Sequence, residues 1–274
     1  MAMLYGSNNN VDARLAYLRS TIEHEDQSKG SEKVGYADCF KGSDRRRTMT
    51  AIFVLFGQNA CGVSFLSQAI YFLFIAGLAP TEVFNISIGG FALAALFIIA
   101  SWFYIEKFGR RAIFLSGSSS SAVFLAIIGA LYYVPGKGSV WAIAILLNVL
   151  TSWSYFSIGS IAWVIASELS SYRLRGHTQS IGFATQLLAS CLFNFVTPYM
   201  YNTDSGNLGA RTGFIWAACC LLYFIASWFL VPETFGLSVP EMDWIFINKV
   251  PVKDFQTRKH EAAAAQEVMA QEGV

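Results

Sequence analysis

The chain has 274 residues, of which 54% are hydrophobic and only 14% charged, with a formal net charge of +1 and a mean hydropathy of +0.46. A soluble globular domain carries about 25% charged residues, so this composition excludes an ordinary soluble protein. The small net charge, together with the lack of a basic run longer than Arg45–Arg47, excludes a nucleic-acid-binding protein. The class of protein that remains is a helical membrane protein that crosses the bilayer several times.

Six stretches without Asp, Glu, Lys or Arg predict six membrane spans, numbered 1 to 6 in chain order. Each stretch is at least 21 residues long, and a helix needs about 20 apolar residues to cross the hydrocarbon layer. Helices are expected because every backbone polar group must be paired within lipid. The stretches are Thr48–Thr81, Val83–Ile105, Ala112–Gly136, Gly138–Ser167, Gly176–Thr203 and Thr212–Pro232.

The distribution of Lys and Arg predicts the orientation of the spans. The loops after spans 2 and 4 contain five Lys or Arg residues, whereas the other three loops contain two. Because basic loops stay in the cytoplasm, we expect both termini to be cytoplasmic. The predicted organisation is a cytoplasmic linker over 1–47 with a short helix at Val11–Gln27, a transmembrane bundle over 48–232 and a cytoplasmic tail over 233–274.

Span 1 is the most polar of the six and holds Gln58, Asn59 and Ser64 among Phe, Leu and Ile residues. Amides inside hydrocarbon are costly unless they meet a partner or a wet cavity. Two interpretations stay open: hydrogen bonds between helices, or the lining of a binding cavity. Gln58 and Ser64 would not share a face of a straight helix, but a break near Gly57 or Gly62 would bring them together, as in the broken helices of transporters.

Trp163 in span 4 and Asn194 in span 5 are further candidates for binding. A tryptophan near the end of a span is typical of the aromatic belt at the membrane interface. Its flat ring with one donor also suits stacking on a sugar ring. Asn194 belongs to a polar set with Thr197 and Pro198, and the proline is expected to kink the helix.

Charged residues at the predicted cytoplasmic ends of spans 2 and 4 form two matching sets. One interpretation is membrane topology with surface ion pairs, each contributing about 0–1 kcal/mol. The other is an ion-pair latch between helices that closes one side of a pore. The sets are Glu106, Arg110 and Arg111, and Glu168, Arg173 and Arg175.

Neither a metal site nor an enzyme is expected from the sequence. The five cysteines show no CxxC or Cys/His ligand spacing, so neither a metal site nor a disulfide framework is indicated. No combination of nucleophile and base stands out either. We therefore expect no cofactor, no metal and no catalytic residue.

Several motifs resemble the second half of the sugar-porter family of the major facilitator superfamily. They are EKFGRR after span 2, SELSSYRLRG after span 4 and PETFG after span 6. A finer resemblance to fungal α-glucoside (maltose-type) permeases rests on CFKGSDRRRT, GQNACGVSF, IYF, FVTPYM, LGARTGFIWA, PETFGLSVPEMDWIF and NKVPVKDF. Together these matches run from about Val11 to Thr257. Their order and spacing carry the resemblance more than any single motif.

The resemblance implies an all-α membrane fold in which these six helices are the seventh to twelfth of twelve, the C-terminal half-bundle of a major facilitator fold. It also implies that Gln58, Asn59 and Ser64 bind sugar and that Trp163 stacks on the sugar ring. Gly159 remains from the family's hinge in span 4, whereas Ser160 and Ala162 stand where many members have proline. Glu106, Arg110, Arg111, Glu168 and Arg175 match the family's cytoplasmic charge network.

The same resemblance implies an α-glucoside:proton symporter, multi-pass and located in the plasma membrane. Its ligand would be an α-glucoside or a hexose, its surroundings the lipid bilayer, and its partner an N-terminal six-helix half. In the family that first half carries the proton-coupling carboxylate, and the four acids within 48–232 all lie at span ends. We therefore expect a half that is inactive alone. Two alternatives stay open: a self-assembling half-size porter, and a non-transporting membrane sugar sensor.

Overall fold

The computed structural model describes residues 35–171, 173–202, 204 and 206–272, and the side chains among them except those of Glu106 and of residues 266–272. The helix predicted at Val11–Gln27 and most of the predicted linker lie outside this range. The described residues contain six helices that are long and apolar enough to cross a membrane. The prediction of six spans is confirmed.

The spans cover Gly42–Ser67, Pro80–Ile105, Arg110–Leu131, Lys137–Leu169, Arg175–Tyr201 and Gly209–Leu230. A further helix, Ala69–Ile75, continues span 1, and the helix of span 2 runs on to Phe108. Several helices extend past the charge-free stretches: span 1 begins at Gly42 rather than Thr48. Charged residues in a terminal turn can keep their charge in water at the membrane boundary, so the helix does not have to end where the charges begin.

Span 1 is the centre of the bundle. Within its most apolar stretch 72% is buried, compared with 22% in span 2 and 17% in span 5. It packs against spans 4 and 5 along its first part, and its segment Asn59–Val63 packs against span 6. A span surrounded on several sides by protein can carry polar side chains, because neighbouring helices supply hydrogen-bond partners.

Glycines bring spans 3 and 6 close together. A Cβ atom on Gly213 would lie 2.6 Å from the carbonyl oxygen of Leu125, and one on Gly129 would lie 2.9 Å from the ring of Phe214. In span 3, a Cβ on Gly117 would lie 2.5 Å from the side chain of Ser157 in span 4. Small residues of this kind let helix backbones approach closely in membranes.

After span 6 the chain returns to the start of span 1. A helix at Val239–Ile247 opens with a capping box, in which Glu241 N–H donates to Ser238 Oγ and Ser238 N–H donates to Glu241 Oε2. Arg47 of span 1 donates to the Asp243 carboxylate, and Arg46 Nη1 donates to Val250 O at 2.8 Å. A second helix, Lys259–Glu272, follows.

Candidate binding site

Span 1 is broken in the middle, at one of the two glycines considered from the sequence. Gly62 has a φ of 86°, a left-handed value that favours glycine. The break lies within a wide, π-type turn over Asn59–Val63, and turns of this kind occur frequently at functional sites. Of the two positions considered for a break, the structure has it at Gly62, while Gly57 lies in the regular helix Gly42–Gln58.

Polar residues on both sides of the break form a seam of hydrogen bonds with span 5. Asn59 Nδ2 donates to Gln186 O at 3.1 Å, and Asn59 Oδ1 accepts from Ser64 Oγ at 3.2 Å. Further along, Gln68 Nε2 donates to Asn194 O at 2.7 Å. Asn59 and Asn194 are therefore engaged between helices, where one such bond contributes about 0.6 kcal/mol on average, and Ser64 is bonded to Asn59 within span 1.

Span 4 contains a wide turn near the break in span 1. A π-type turn covers Tyr155–Gly159, and Ser160 Oγ donates to Tyr155 O at 2.5 Å. Gly159 lies where the resemblance indicated a hinge, and the helix departs there from regular α-helical geometry without a proline. The break in span 1 and the wide turn in span 4 both border one cavity.

This cavity lies between spans 1, 2 and 4 and has a volume of about 150 Å³. Among the described residues that line it, none is Asp, Glu, Lys, Arg or His. A neutral ligand is therefore favoured over an anion or a cation. The lining residues are Gln58, Val63, Leu66, Ser67, Ala69, Ile70, Leu73, Ser87, Gly90, Phe91, Asn148, Thr151, Ser154, Tyr155 and Gly159.

Two buried polar side chains at this cavity each have one atom without a hydrogen-bond partner among the described residues. Gln58 is 6% exposed and its Nε2 has no partner among the described residues, while its Oε1 accepts from Gln186 Nε2 at 3.4 Å. Ser154 is 5% exposed and its Oγ likewise has none. A buried polar group without a partner costs about 1–3 kcal/mol. Both atoms are enclosed by protein in this state, so neighbouring side chains would have to move before a ligand in the cavity could bond to either.

The structure brings only one of the five predicted substrate residues to the cavity surface. Gln58 lines it, whereas Asn59 and Asn194 belong to the seam with span 5 and Ser64 donates to Asn59. Trp163 is half-buried, and its ring centroid lies 4.8 Å from that of Phe183 in span 5. It lies four residues beyond Gly159, which places the two residues on the same side of the span 4 helix.

A family model provides the decisive comparison. The model described as "Sugar (and other) transporter" matches residues 2–246. The chain belongs to the Sugar (and other) transporter family. Its fold is that of a half-bundle: the crystal structure of a double tryptophan mutant of XylE matches with a TM-score of 0.66 and 20% identity, covering 73% of this chain and 43% of that one. The expected C-terminal half of a major facilitator fold is confirmed.

Two curated relatives lie within the fungi. The "MFS transporter fmqE" of Aspergillus fumigatus is 44% identical over 240 residues, which cover 88% of this chain and 45% of that protein. "Maltose permease MAL61" of Saccharomyces cerevisiae is 29% identical over 263 residues, which cover 96% of this chain and 42% of the permease. The chain thus spans less than half the length of each relative.

In this member of the family a charge cluster ties together the ends of spans 3, 4 and 6. Arg110 Nη2 donates to Glu168 Oε1 at 3.0 Å, and Thr234 Oγ1 donates to Glu168 Oε2 at 2.5 Å. Glu233 accepts the backbone N–H groups of Arg110 at 2.9 Å and of Arg111 at 3.2 Å. A carboxylate at the first turn of a helix is favoured by the helix dipole, so Glu233 caps span 3.

The remaining predicted charged residues are distributed around this cluster. Arg111 Nη2 donates to Trp228 O at 2.7 Å. Arg173 and Arg175 are exposed. The pKa of the Asp38 carboxyl is lowered mainly by a hydrogen bond from Lys41, then by the Gly35 N–H, and the charge of Arg173 adds the smallest contribution. The side chain of Glu106 lies outside the described set. The structure thus joins Arg110 with Glu168, and among the described residues neither Arg173 nor Arg175 forms an ion pair with that carboxylate.

The sequence analysis missed three residues at these sites. Glu233 and Thr234 lie in the PETFG motif, which was noted only for its resemblance. Their position right after span 6 was the available signal, because charged and polar residues there can reach the ends of neighbouring helices. Nothing in the sequence distinguishes Ser154 from its neighbours, because serines in apolar helices usually bond to the backbone of their own helix.

Proposed function

We propose that this chain is the C-terminal half of an α-glucoside transporter and binds a maltose-type sugar in the cavity between spans 1, 2 and 4. The observation that carries the proposal is the Gln58 amide, buried at the cavity with an Nε2 that has no partner among the described residues. A sugar offers neutral hydroxyl groups that both donate and accept hydrogen bonds. The similarity to a maltose permease over 96% of the chain supports the same substrate class.

In this proposal the other predicted residues contact sugar as the site changes shape. Trp163 lies one turn beyond Gly159, so a cavity that opens further along span 4 would reach its ring. Asn59, Ser64 and Asn194 would exchange their seam hydrogen bonds for sugar hydroxyls. Exchange of this kind costs little, because each bond lost between the helices is replaced by one to the ligand.

Transport would proceed by alternating access, in which this bundle rocks against an N-terminal six-helix half around the sugar. The charge cluster of Arg110, Glu168, Glu233 and Thr234 would hold the cytoplasmic side closed and separate when that side opens. We further propose proton symport at the plasma membrane, with both termini in the cytoplasm. The proton-carrying carboxylate would belong to the N-terminal half, because the acids within 48–232 lie at span ends.

The test is a complete transporter that joins the N-terminal half of MAL61 to this chain, expressed in yeast without its own maltose permeases. We expect uptake of labelled maltose, and we expect Gln58→Ala to raise its KM about 3- to 10-fold through the loss of one hydrogen bond. Gln179→Ala is the matched control, since Gln179 lies in span 5 and does not line the cavity. Equal KM values for Gln58→Ala and the parent would refute the assignment.

Trp163 is tested in the same transporter. Trp163→Ala is expected to raise the KM or abolish uptake while surface expression is unchanged, because an aromatic ring that stacks on a sugar contributes to affinity. Trp163→Phe keeps a flat ring and should retain more of the uptake. Unchanged uptake kinetics for Trp163→Ala would show that Trp163 packs against Phe183 and does not bind sugar.

A further inference from the structure

A second cavity, which we call the aromatic groove, lies between spans 2, 3 and 4 and has a volume of about 510 Å³. Cavities of about 300–1,000 Å³ suit a whole small molecule. Its aromatic residues are Phe97, Tyr104 and Phe108 of span 2 and Trp153 and Phe156 of span 4. None of the described residues that line it is charged. The groove therefore suits an apolar, uncharged ligand.

Four of these rings form one packed cluster. The ring centroid of Phe156 lies 6.1 Å from that of Phe97 and 5.6 Å from that of Tyr104, both edge-on. It lies 5.1 Å from that of Trp153 in a stacked arrangement. Trp153 Nε1 donates to Ser120 Oγ at 2.6 Å, which fixes the indole. A fixed set of flat faces favours a flat, rigid ligand, because a flexible chain loses more conformational freedom on binding.

The aromatic groove and the cavity proposed to bind sugar lie on different sides of span 4. Trp153 and Phe156 line the groove, whereas Thr151 and Tyr155 line the other cavity. At about 3.6 residues per turn, the two pairs point to nearly opposite sides of the helix. In transporters built from two bundles, the opposing bundle meets this one at the substrate site. The groove therefore faces away from that bundle and toward the lipid bilayer.

Two hydroxyl groups line the groove at similar depth, on spans 2 and 3. Tyr104 lies five residues before Gly109 and Ser116 seven residues after it, or about 8 and about 11 Å along their helices. Ser116 Oγ donates to Ile113 O at 2.9 Å, so its oxygen can still accept, and the Tyr104 hydroxyl can donate or accept. A ligand with one hydroxyl group at one end can bond to both.

We propose that the aromatic groove binds a sterol of the bilayer, with its fused rings against the aromatic cluster and its hydroxyl group between Tyr104 and Ser116. A sterol is flat, rigid and apolar apart from that one hydroxyl. A phospholipid matches the groove less well, because its acyl chains are flexible and no described residue of the lining could pair with a phosphate.

A bound sterol would also contact the wide turn of span 4. Phe156 belongs to that turn, which covers Tyr155–Gly159. Tyr155 and Gly159 border the other cavity. The sterol thus supports, from the lipid side, the same turn that borders the proposed sugar site. Binding of the sterol itself needs no sugar, so its outcome is independent of the proposed function.

The first test is photolabelling of the purified chain in phosphatidylcholine vesicles, with a sterol that carries a diazirine in its ring system. Mass spectrometry should locate the label within residues 97–108, 112–116 and 153–156. A saturating excess of unlabelled sterol should lower this labelling about tenfold, as for a single site. A phosphatidylcholine with a diazirine in its acyl chain is the comparison. Labelling of the groove by this second probe, unaffected by unlabelled sterol, would identify a phospholipid site and overturn the proposal.

The second test fills the groove. Ala100 lines it, whereas Ala95 of the same span does not. We expect Ala100→Phe to lower the labelling by the sterol about tenfold and Ala95→Phe to leave it unchanged. Sterol should raise the melting temperature of the parent and of Ala95→Phe, because a ligand that binds the folded state stabilises it. It should not raise that of Ala100→Phe. Equal labelling of the two variants would contradict binding in the groove.

The third test removes one hydroxyl group and keeps the packing. Tyr104→Phe retains the ring beside Phe156, so the fold is preserved, and we expect the Kd of the sterol to rise about 3- to 10-fold. Tyr133→Phe is the control, since Tyr133 does not line the groove. A sterol analogue without the hydroxyl should bind the parent and Tyr104→Phe with equal Kd, because the same hydrogen bond is absent in both. An unchanged Kd for Tyr104→Phe with the intact sterol would overturn the assigned orientation of the ligand.

Discussion

The Arg110 guanidinium and the Glu168 carboxylate form an ion pair between the start of span 3 and the end of span 4, with Nη2 and Oε1 3.0 Å apart. Their side chains are 17% and 29% exposed, so water screens the pair only in part. Glu168 also accepts from Thr234, which connects the segment after span 6 to the same carboxylate. One acid thus holds three parts of the bundle together.

This arrangement predicts an energetic coupling between Arg110 and Glu168. In a double-mutant cycle with Arg110→Ala and Glu168→Ala, we expect a coupling of about 1 kcal/mol in thermal unfolding of the purified protein. Arg258 and Glu261 form an exposed pair within one turn, at 3.3 Å with side chains 49% and 59% exposed. The same cycle on that control pair should give a coupling near zero. Equal couplings for the two pairs would contradict a special role of the cluster.

Adjacent glycines of span 2 give a second prediction. Gly90→Ala places a Cβ 1.6 Å from Asn148 Oδ1, whereas Gly89→Ala meets nothing within 4 Å. We expect Gly90→Ala to displace Asn148 and destabilise the protein by about 1–3 kcal/mol. Gly89→Ala should be neutral or slightly stabilising, since alanine favours a helix over glycine. The melting temperatures of the two variants measure the difference, and similar values would contradict the close contact.

The sequence predicted the bundle well because the spans depend on a local property. A stretch without charges long enough to cross the hydrocarbon layer has few other structures open to it. The break in span 1 was also within reach, since Gly62 tolerates a left-handed φ that other residues resist. Gln58 stood out for the same reason: an amide in an apolar helix needs an explanation.

The parts that escaped prediction depend on which atoms are already paired. Asn59 and Ser64 are as polar as Gln58, yet they use their groups within the bundle and Gln58 Nε2 does not. Ser154 looks the same in sequence as Ser152, and only the three-dimensional contacts distinguish them. Glu233 acts on a helix start more than 120 residues away in sequence, and no local pattern reports such a contact.

The contact between Arg47 and Asp243 predicts a pH dependence. Burial raises the pKa of the Asp243 carboxyl, and Arg47 opposes that rise. In Arg47→Ala the rise is unopposed, so the folded carboxyl holds its proton to higher pH than the unfolded one. Stability from this group is present below its unfolded pKa and is lost as the pH rises through the folded pKa. The melting temperature of Arg47→Ala should therefore fall more steeply than that of the parent as the pH rises from about 4 to 7.

The control for this prediction is Arg47→Ala combined with Asp243→Asn. The asparagine cannot titrate, so the additional pH dependence should disappear while the arginine remains absent. Parallel melting profiles for the single and double variants would show that Asp243 is not the titrating group.

The orientation of the spans predicts where an added glycosylation site is modified. Sites inserted near Thr81, Gly136 and Asp204 should be glycosylated, because these loops contain few basic residues and are expected outside the cytoplasm. A site near Ser171, in the loop with Arg173 and Arg175, should remain unmodified. Gel mobility before and after enzymatic deglycosylation provides the measurement. Modification near Ser171, with the other three sites unmodified, would show that the topology is the reverse of the one predicted.

The chain by itself is expected to give no concentrative uptake of maltose. Alternating access needs two bundles that move past one site, and the described residues form one bundle. Two copies could pair, but both would present the same faces and neither would hold an acid away from its span ends. Co-expression with the N-terminal half of MAL61 should establish uptake, because that half would supply the opposing bundle. The measurement is labelled maltose in yeast without its own permeases, with surface expression checked in parallel. Accumulation above the external concentration by this chain alone would favour a self-assembling half-size porter.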